Sequence, residues 1–206
     1  TNALNGYLNV GDVVSVTVAM DEATIVTGLP TIALDIGGAT KQATYASGSN
    51  TASLVFTYTI EAGLTDADGI SVPANAISLN SGTLKDAAGN DATLTHDGVA
   101  ANSSFKVDTT APTVTVTLSD TALKAGETAT VTFAFSEEPT GFVIGDIVID
   151  GDNGEISNLS GSGNTYTATY TPKVDITDAS NVISVSGLSY TDAAGNAGTS
   201  GTSANF

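Results

Sequence analysis

One phrase occurs twice in this chain of 206 residues. Asp86-Ala87-Ala88-Gly89-Asn90 returns as Asp192-Ala193-Ala194-Gly195-Asn196, 106 positions further on. A second pair lies upstream: Leu8-Asn9-Val10-Gly11-Asp12 matches Leu123-Lys124-Ala125-Gly126-Glu127. Each is followed by an alternating apolar run, Val14, Val16, Val18 and Met20 in the first copy and Ala129, Val131, Phe133 and Phe135 in the second. Both runs are read as strands ending in acid, at Asp21-Glu22 and at Glu137-Glu138. A repeat of this length predicts two similar domains, each near the usual domain size. Residues 1–107 form the first domain and 108–206 the second. The linker spans about 108–112, where Pro112 forces Ala111 into an extended conformation. It is short, β-branched and Pro-containing, hence stiff. Phe206 aligns with Phe105, the residue just ahead of that linker, so the sequence reads as a piece of a longer array.

Within each copy, short apolar alternations are separated by turn clusters. Gly37-Gly38, Ser47-Gly48-Ser49-Asn50, Gly151-Asp152-Asn153-Gly154 and Ser160-Gly161-Ser162-Gly163-Asn164 are the clearest. No stretch keeps a helical period. Threonine supplies 32 residues and favours strands over helix interiors. About seven short strands per ~100 residues predict an all-β chain of two tandem immunoglobulin-like β-sandwich domains. Cys and Trp are absent, so neither domain has a disulfide and packing alone must hold it.

The second copy, with Val131-Thr132-Phe133-Ala134-Phe135-Ser136-Glu137-Glu138-Pro139-Thr140-Gly141-Phe142 and the closing Asp-Ala-Ala-Gly-Asn, resembles a bacterial Ig-like repeat. The first, with Gly28-Leu29-Pro30-Thr31-Ile32-Ala33-Leu34-Asp35-Ile36-Gly37-Gly38, Ala43-Thr44-Tyr45 and Asp66-Ala67-Asp68-Gly69-Ile70, is similar to a sister class of repeat. The resemblance implies large secreted adhesins of the RTX type, on the bacterial cell surface. There such repeats are extracellular spacers in cell adhesion and biofilm formation, and metal at the linkers stiffens the chain.

Charge gives the acids a place in this frame. Against 22 Asp and Glu stand five basic residues, all lysine, for a net charge of −17. No basic patch can form, which argues against nucleic acid and anionic membranes as partners. No apolar stretch approaches the roughly 20 residues of a membrane span. In a seven-strand sandwich the loops alternate between the two ends of the domain. Glu137 and the turn holding Asp192 and Asn196 then crowd the upstream end of the second domain. Asp66 and Asp68 fall at the downstream end of the first, and Asp108 lies in the linker. Glu22, Asp86 and Asn90 mark the upstream end of the first domain, and Asp175 and Asp178 the downstream end of the second. Carboxylates and amide oxygens gathered from several loops suit Ca²⁺, which takes six to eight oxygens in flexible geometry. Zn²⁺ would need His or Cys, and the chain has one His and no Cys.

Each acidic feature also has a plain structural reading. Asp-Ala-Ala-Gly-Asn is equally a tight turn, since Gly and Asn tolerate positive φ and Asp bonds its own backbone. Asp66-Ala67-Asp68-Gly69 opens like a calcium loop but lacks the closing Glu of an EF-hand. Asp12 and Glu127 read as exposed charges, and His96 as a surface residue at a strand end. Enzyme signatures are missing, with no Gly-x-Ser-x-Gly, phosphate loop or His-Glu-x-x-His. The expected function is a non-enzymatic, monomeric spacer that contacts neighbouring repeats of its own chain. The rivals are a glycan- or protein-binding module, for which Phe142 and Tyr7 are the aromatic candidates, and an accessory sandwich of a secreted enzyme.

Overall fold

The computed structural model describes residues 6–175 and 177–206. The described residues divide into two compact units, one ending at Thr110 and one spanning Ala111–Phe206. Both are β throughout, with only short 3₁₀ turns and no α-helix among the described residues.

Unit 2 has strands β10 (Val114–Leu118), β11 (Ala129–Phe135), β12 (Ile147–Ile149), β13 (Gly154–Ser162), β14 (Thr165–Pro172), β15 (Ile183–Val185) and β16 (Gly201–Thr202). Numbering of the strands follows the whole chain, and β1–β9 belong to unit 1. The sheets of unit 2 are β10-β11-β14-β13 and β12-β15-β16, antiparallel throughout. Seven strands divided four and three in this order make the constant-type immunoglobulin sandwich. The alternation expected for β11 is realised: Ala129, Val131, Phe133 and Phe135 are buried while Thr130 and Ala134 face out. Phe142 joins them instead of standing exposed, with ring centroids 5.0 Å from Phe135 and 5.4 Å from Phe133 and Tyr166. Tyr190 packs against Phe135 at 5.0 Å and completes the aromatic centre of the core.

Unit 1 reaches an all-β core by another strand order. Its strands are β1 (Tyr7–Leu8), β2 (Val13–Thr27), β3 (Thr31–Ile36), β4 (Ala39–Ser47), β5 (Thr51–Thr59), β6 (Thr65–Asp66), β7 (Ile77–Ser78), β8 (Thr83–Lys85) and β9 (Lys106–Asp108). The sheets are β7-β3-β4-β5-β2-β8 and β1-β9-β6, with β1 parallel to β9. The strand expected to end at Asp21-Glu22 runs on to Thr27. The β-branched run Thr24-Ile25-Val26-Thr27 sustains it. A register shift between Ala19 and Thr24 turns it from β5 to β8. Acid therefore ends the second-copy strand, which stops at Phe135, but not the first.

The layer facing β2 is made of two- and three-residue strands and long loops, so its inward side chains are covered less completely. Val14 is buried, whereas Val16, Val18 and Met20 are half-buried beside hollows of about 230 and 370 Å³. Leu8, Leu34, Ile36, Leu54, Phe56, Ile60 and Val107 fill the core proper.

Candidate functional site

The two copies of the repeated pentapeptide fold into the same hydrogen-bonded loop. In the first, Asn90 N donates to Asp86 Oδ1 at 2.8 Å and Asn90 Nδ2 to Asp86 Oδ2 at 2.6 Å. In the second, Asn196 makes the corresponding bonds to Asp192, both at 2.8 Å. The backbone repeats as well: Asp86 N donates to Asn90 O and Asp192 N to Asn196 O, at 3.0 and 3.1 Å. Gly89 and Gly195 carry φ of 92° and 93°, a conformation that a side chain would strain. Asparagine thus orients the aspartate through two donors, which is why the motif needs both ends.

The upstream pair behaves likewise. Asn9 N donates to Asp12 Oδ2 at 2.8 Å, and Lys124 N to Glu127 Oε2 at 2.9 Å. These acids close their own turns, with Gly11 and Gly126 at φ of 91° and 88°.

At the upstream end of unit 2 two loops bond the incoming chain and a third bonds the end of β11. Ser136 N donates to Thr113 O at 2.9 Å, Phe135 N to Asn164 O at 2.8 Å, and Thr199 N to Pro112 O at 2.8 Å. Thr140 and Thr191 exchange reciprocal bonds of 2.6 and 3.0 Å, tying the β11–β12 loop to the β15–β16 loop. Glu137 lies on the first of these loops and Asp192 on the second. A carboxylate oxygen of each lies within 4.8 Å of the other. Asp192 is 1 % exposed, Glu137 half-buried and Glu138 exposed, so Glu137 is the member of its pair turned toward the aspartate loop. At an effective dielectric near 20, two carboxylates this close repel by roughly 3 kcal/mol. Each Asp192 oxygen accepts one Asn196 donor and has a second lone pair. Hard oxygen donors of this kind suit Ca²⁺.

At the downstream end of unit 1, Asp66 is 3 % exposed, and both its oxygens hold backbone. Oδ1 accepts Gly69 N and Oδ2 accepts Gly37 N, each at 2.8 Å. The carboxylate thereby fastens the β3–β4 hairpin to the loop after β6. Gly69 is required there, since a Cβ would come 1.9 Å from Asn102 O. Asp108 sits one strand away, opposite Thr65 in the β6–β9 pairing, and its Oδ1 accepts Thr110 N at 2.9 Å. Asp68 is exposed.

The members of each of the other two sets line a common hollow. Glu22, Asp86 and Asn90 line the 370 Å³ hollow of unit 1 with Asp21, Asp91 and His96. Hydrogen bonds from the Asn90 amide and backbone hold the Asp86 carboxyl below its ordinary value. His96 is a structural link there: Nε2 accepts Ala76 N at 2.8 Å while Nδ1 lies 2.7 Å from Asp97 O. Asp175 and Asp178 line a smaller hollow in unit 2 with Asn153, Asn181 and Phe206. Asp178 accepts Ser180 N at 2.9 Å and Asn153 Nδ2 at 2.7 Å, and Ser180 foremost lowers its pKa. Asp175 is exposed with φ of 60°.

Sequence reasoning misses Asp91, which pairs with Lys85 at 2.6 Å beside the Asp86 loop. Opposite charges on the two residues that flank the loop, joined as a β-bridge, are the available signal. It also misses Tyr190, whose hydroxyl lies 2.7 Å from Thr199 O and 3.3 Å from Pro112 O.

A family model for the bacterial Ig-like domain matches residues 108–206. Domains of this kind generally occur in surface or secreted proteins. No curated protein matches the chain.

Proposed function

We propose that the chain is a calcium-stiffened spacer from a large bacterial surface adhesin of the RTX type, extracellular, monomeric and without catalytic activity. Its role is to project a distal binding domain in adhesion and biofilm formation. It does so in series with neighbouring repeats of the same chain.

The observation that carries this reading is the Glu137–Asp192 pair, in which one carboxylate is buried and the other is held close by loops that are themselves tied together. Asp108 is the proposed third ligand. It is the first residue of the family match and precedes Pro112 by four positions. A dication there removes the repulsion between the acids and is bound most tightly when the loops are already folded, so binding and unit stability rise together. Glu22 with Asp86, Asp66 with Asp68, and Asp175 with Asp178 are proposed as weaker sites, each with its acids largely engaged in turns or exposed.

Melting of the whole chain in millimolar Ca²⁺ and in excess chelator tests the site. At 50 times the dissociation constant, a single ion adds about 2 kcal/mol to the folded state. Unit 2 should melt roughly 10 °C higher with calcium, given ~4–8 °C per kcal/mol for a domain of this size. In E137Q this shift should largely disappear. Equal melting temperatures with and without calcium would remove the metal from the reading.

A further inference from the structure

We infer that Asn153 is a site of spontaneous modification: an Asn-Gly pair that the folded end of unit 2 protects, and that deamidates when this end opens. The backbone nitrogen after an Asn attacks the side-chain amide carbon most readily when it belongs to glycine, since no Cβ obstructs the approach. Neither residue of this pair is free to vary. Gly154 is the first residue of β13, and a Cβ on it would stand 2.3 Å from the Tyr170 ring and 2.7 Å from Thr171 O. Asn153 is fixed by its two donors, as Nδ2 reaches Asp178 Oδ2 at 2.7 Å and Asn181 Oδ1 at 2.9 Å. Packing demands the glycine and hydrogen bonding the asparagine, so the labile pair is built into the loop.

In the folded unit, geometry blocks the reaction. Asn153 has φ of −84° and ψ of 8°. That ψ sets the Gly154 nitrogen alongside the Asn153 backbone nitrogen, whereas ring closure requires it to swing round toward Cβ and Cγ. The swing would disrupt the Gly154–Pro172 pairing that starts the β13–β14 ladder. It would also pull Asn153 O from Lys173 N, at 2.9 Å, and from the Tyr170 hydroxyl, at 3.3 Å. These bonds and the two side-chain bonds must let go together, in a local opening that costs less than global unfolding.

Once open, the Gly154 nitrogen adds to Asn153 Cγ and passes its proton to the departing nitrogen. The Cγ–Nδ2 bond breaks and ammonia leaves. Water then opens the five-membered imide at either carbonyl, giving aspartate or isoaspartate, and neither an oxidant nor an enzyme is needed. The change is one-way and inverts the chemistry of the site. An amide that gives two hydrogen bonds becomes a carboxylate that gives none. It then faces the Asp178 carboxylate from a loop that already carries Asp150 and Asp152. Each conversion leaves this end of unit 2 held less firmly, so the pair records how often the end has opened.

Peptide mapping of the full chain, incubated in mildly alkaline buffer with chelator, tests the site. Chelator keeps any cation from Asp175 and Asp178, which separates the outcome from the calcium reading. In guanidinium, Asn153 should deamidate at the pace of an unstructured Asn-Gly pair. In native buffer it should convert on the order of a hundredfold more slowly, with the rate climbing steeply toward the melting temperature. D178A removes the acceptor at 2.7 Å and should speed native conversion on the order of tenfold, with the rate in guanidinium unchanged. N153D, which makes the product directly, should lower the melting of unit 2 by roughly 5–10 °C. D178N in that background should restore part of the loss by supplying the missing donor. The proposal fails on any of these results: equal rates in native buffer and guanidinium, a native chain unconverted just below its melting temperature, D178A without acceleration, or N153D melting with the wild type.

Discussion

The same five residues, folded into the same hydrogen-bonded loop, stand in opposite surroundings in the two units. In unit 2 Asp192 and Ala194 are each 1 % exposed, and the β11–β12 loop is bonded to theirs through Thr140 and Thr191. In unit 1 Asp86 is only half-buried, Ala88 and Asn90 are exposed, and the loop borders an open hollow. Local sequence determines the loop, and a distant segment determines whether it becomes a buried charge. The difference lies in how the acid-tipped strand of each unit ends. At Phe135 the strand stops and a loop carrying Glu137, Pro139 and Phe142 folds over the end of the sandwich. In unit 1 the corresponding strand runs on to Thr27 and no such loop forms.

The sharpest way to break the comparison is to delete the aspartate in each loop. Asp192→Ala removes the acceptor of two half-buried Asn196 bonds together with a buried side chain and should destabilise unit 2 by roughly 2–3 kcal/mol, lowering its melting by about 10–20 °C. Asp86→Ala loses the same two bonds, but water replaces them, so the fall for unit 1 should be a small fraction of that. Hydrogen exchange read separately over the two units measures both. Similar losses would show that burial does not distinguish the loops.

Next in size is a change that should not distinguish them. Gly89→Ala and Gly195→Ala each force a side chain into nearly the same positive φ, at a cost of about 1 kcal/mol. Equal shifts in melting of the two units would leave surroundings as the sole difference; a clear inequality would mean that the loops differ internally after all.

Acid gives the smallest effect. Asp86 in unit 1 has its pKa depressed below the ordinary 3.8, chiefly by the Asn90 amide. A depressed carboxyl contributes stability that is present above its unfolded pKa and is lost as pH falls through the lower folded value. Between pH 7 and 5 the contribution should therefore be constant, with the loss confined to pH below about 4. In an acid titration of unit 1 followed by circular dichroism, D86N should flatten that limb slightly. A change above pH 5 in the wild type alone would contradict the assignment.

Much of this is legible in the residues. The alternation at Ala129, Val131, Phe133 and Phe135 places a strand and its buried face, and three of the four turn clusters mark hairpins that form, the first with Gly37 and Gly38 at φ of 58° and 85°; the fourth, Gly151 to Gly154, joins strands of different sheets. The repeated Asp…Asn phrase announces a shared loop. The partner of each strand over distance is not legible. Thr24 to Thr27 look like any β-branched run, and only the packing of β8 shows that Ile25 to Thr27 pair away from β5. Phe142 sits in a loop by pattern, yet the space between Phe133, Phe135 and Tyr166 takes it into the core. Asp66 reads as the start of a metal loop, and its sequence does not disclose the two backbone donors, one 29 residues away, that its oxygens accept.

The parallel pairing of β1 with β9 has a further consequence, for the order in which unit 1 can be made. Tyr7 and Leu8 are among the first residues of the unit to be synthesised, and their partners Lys106 and Val107 are among the last. Contacts of such sequence separation are slow to form, because the intervening loop must close before they are rewarded. The second sheet cannot assemble until nearly the whole unit has been supplied. A chain delivered progressively would hold unit 1 open until its final strand arrives, and the same strand then closes it.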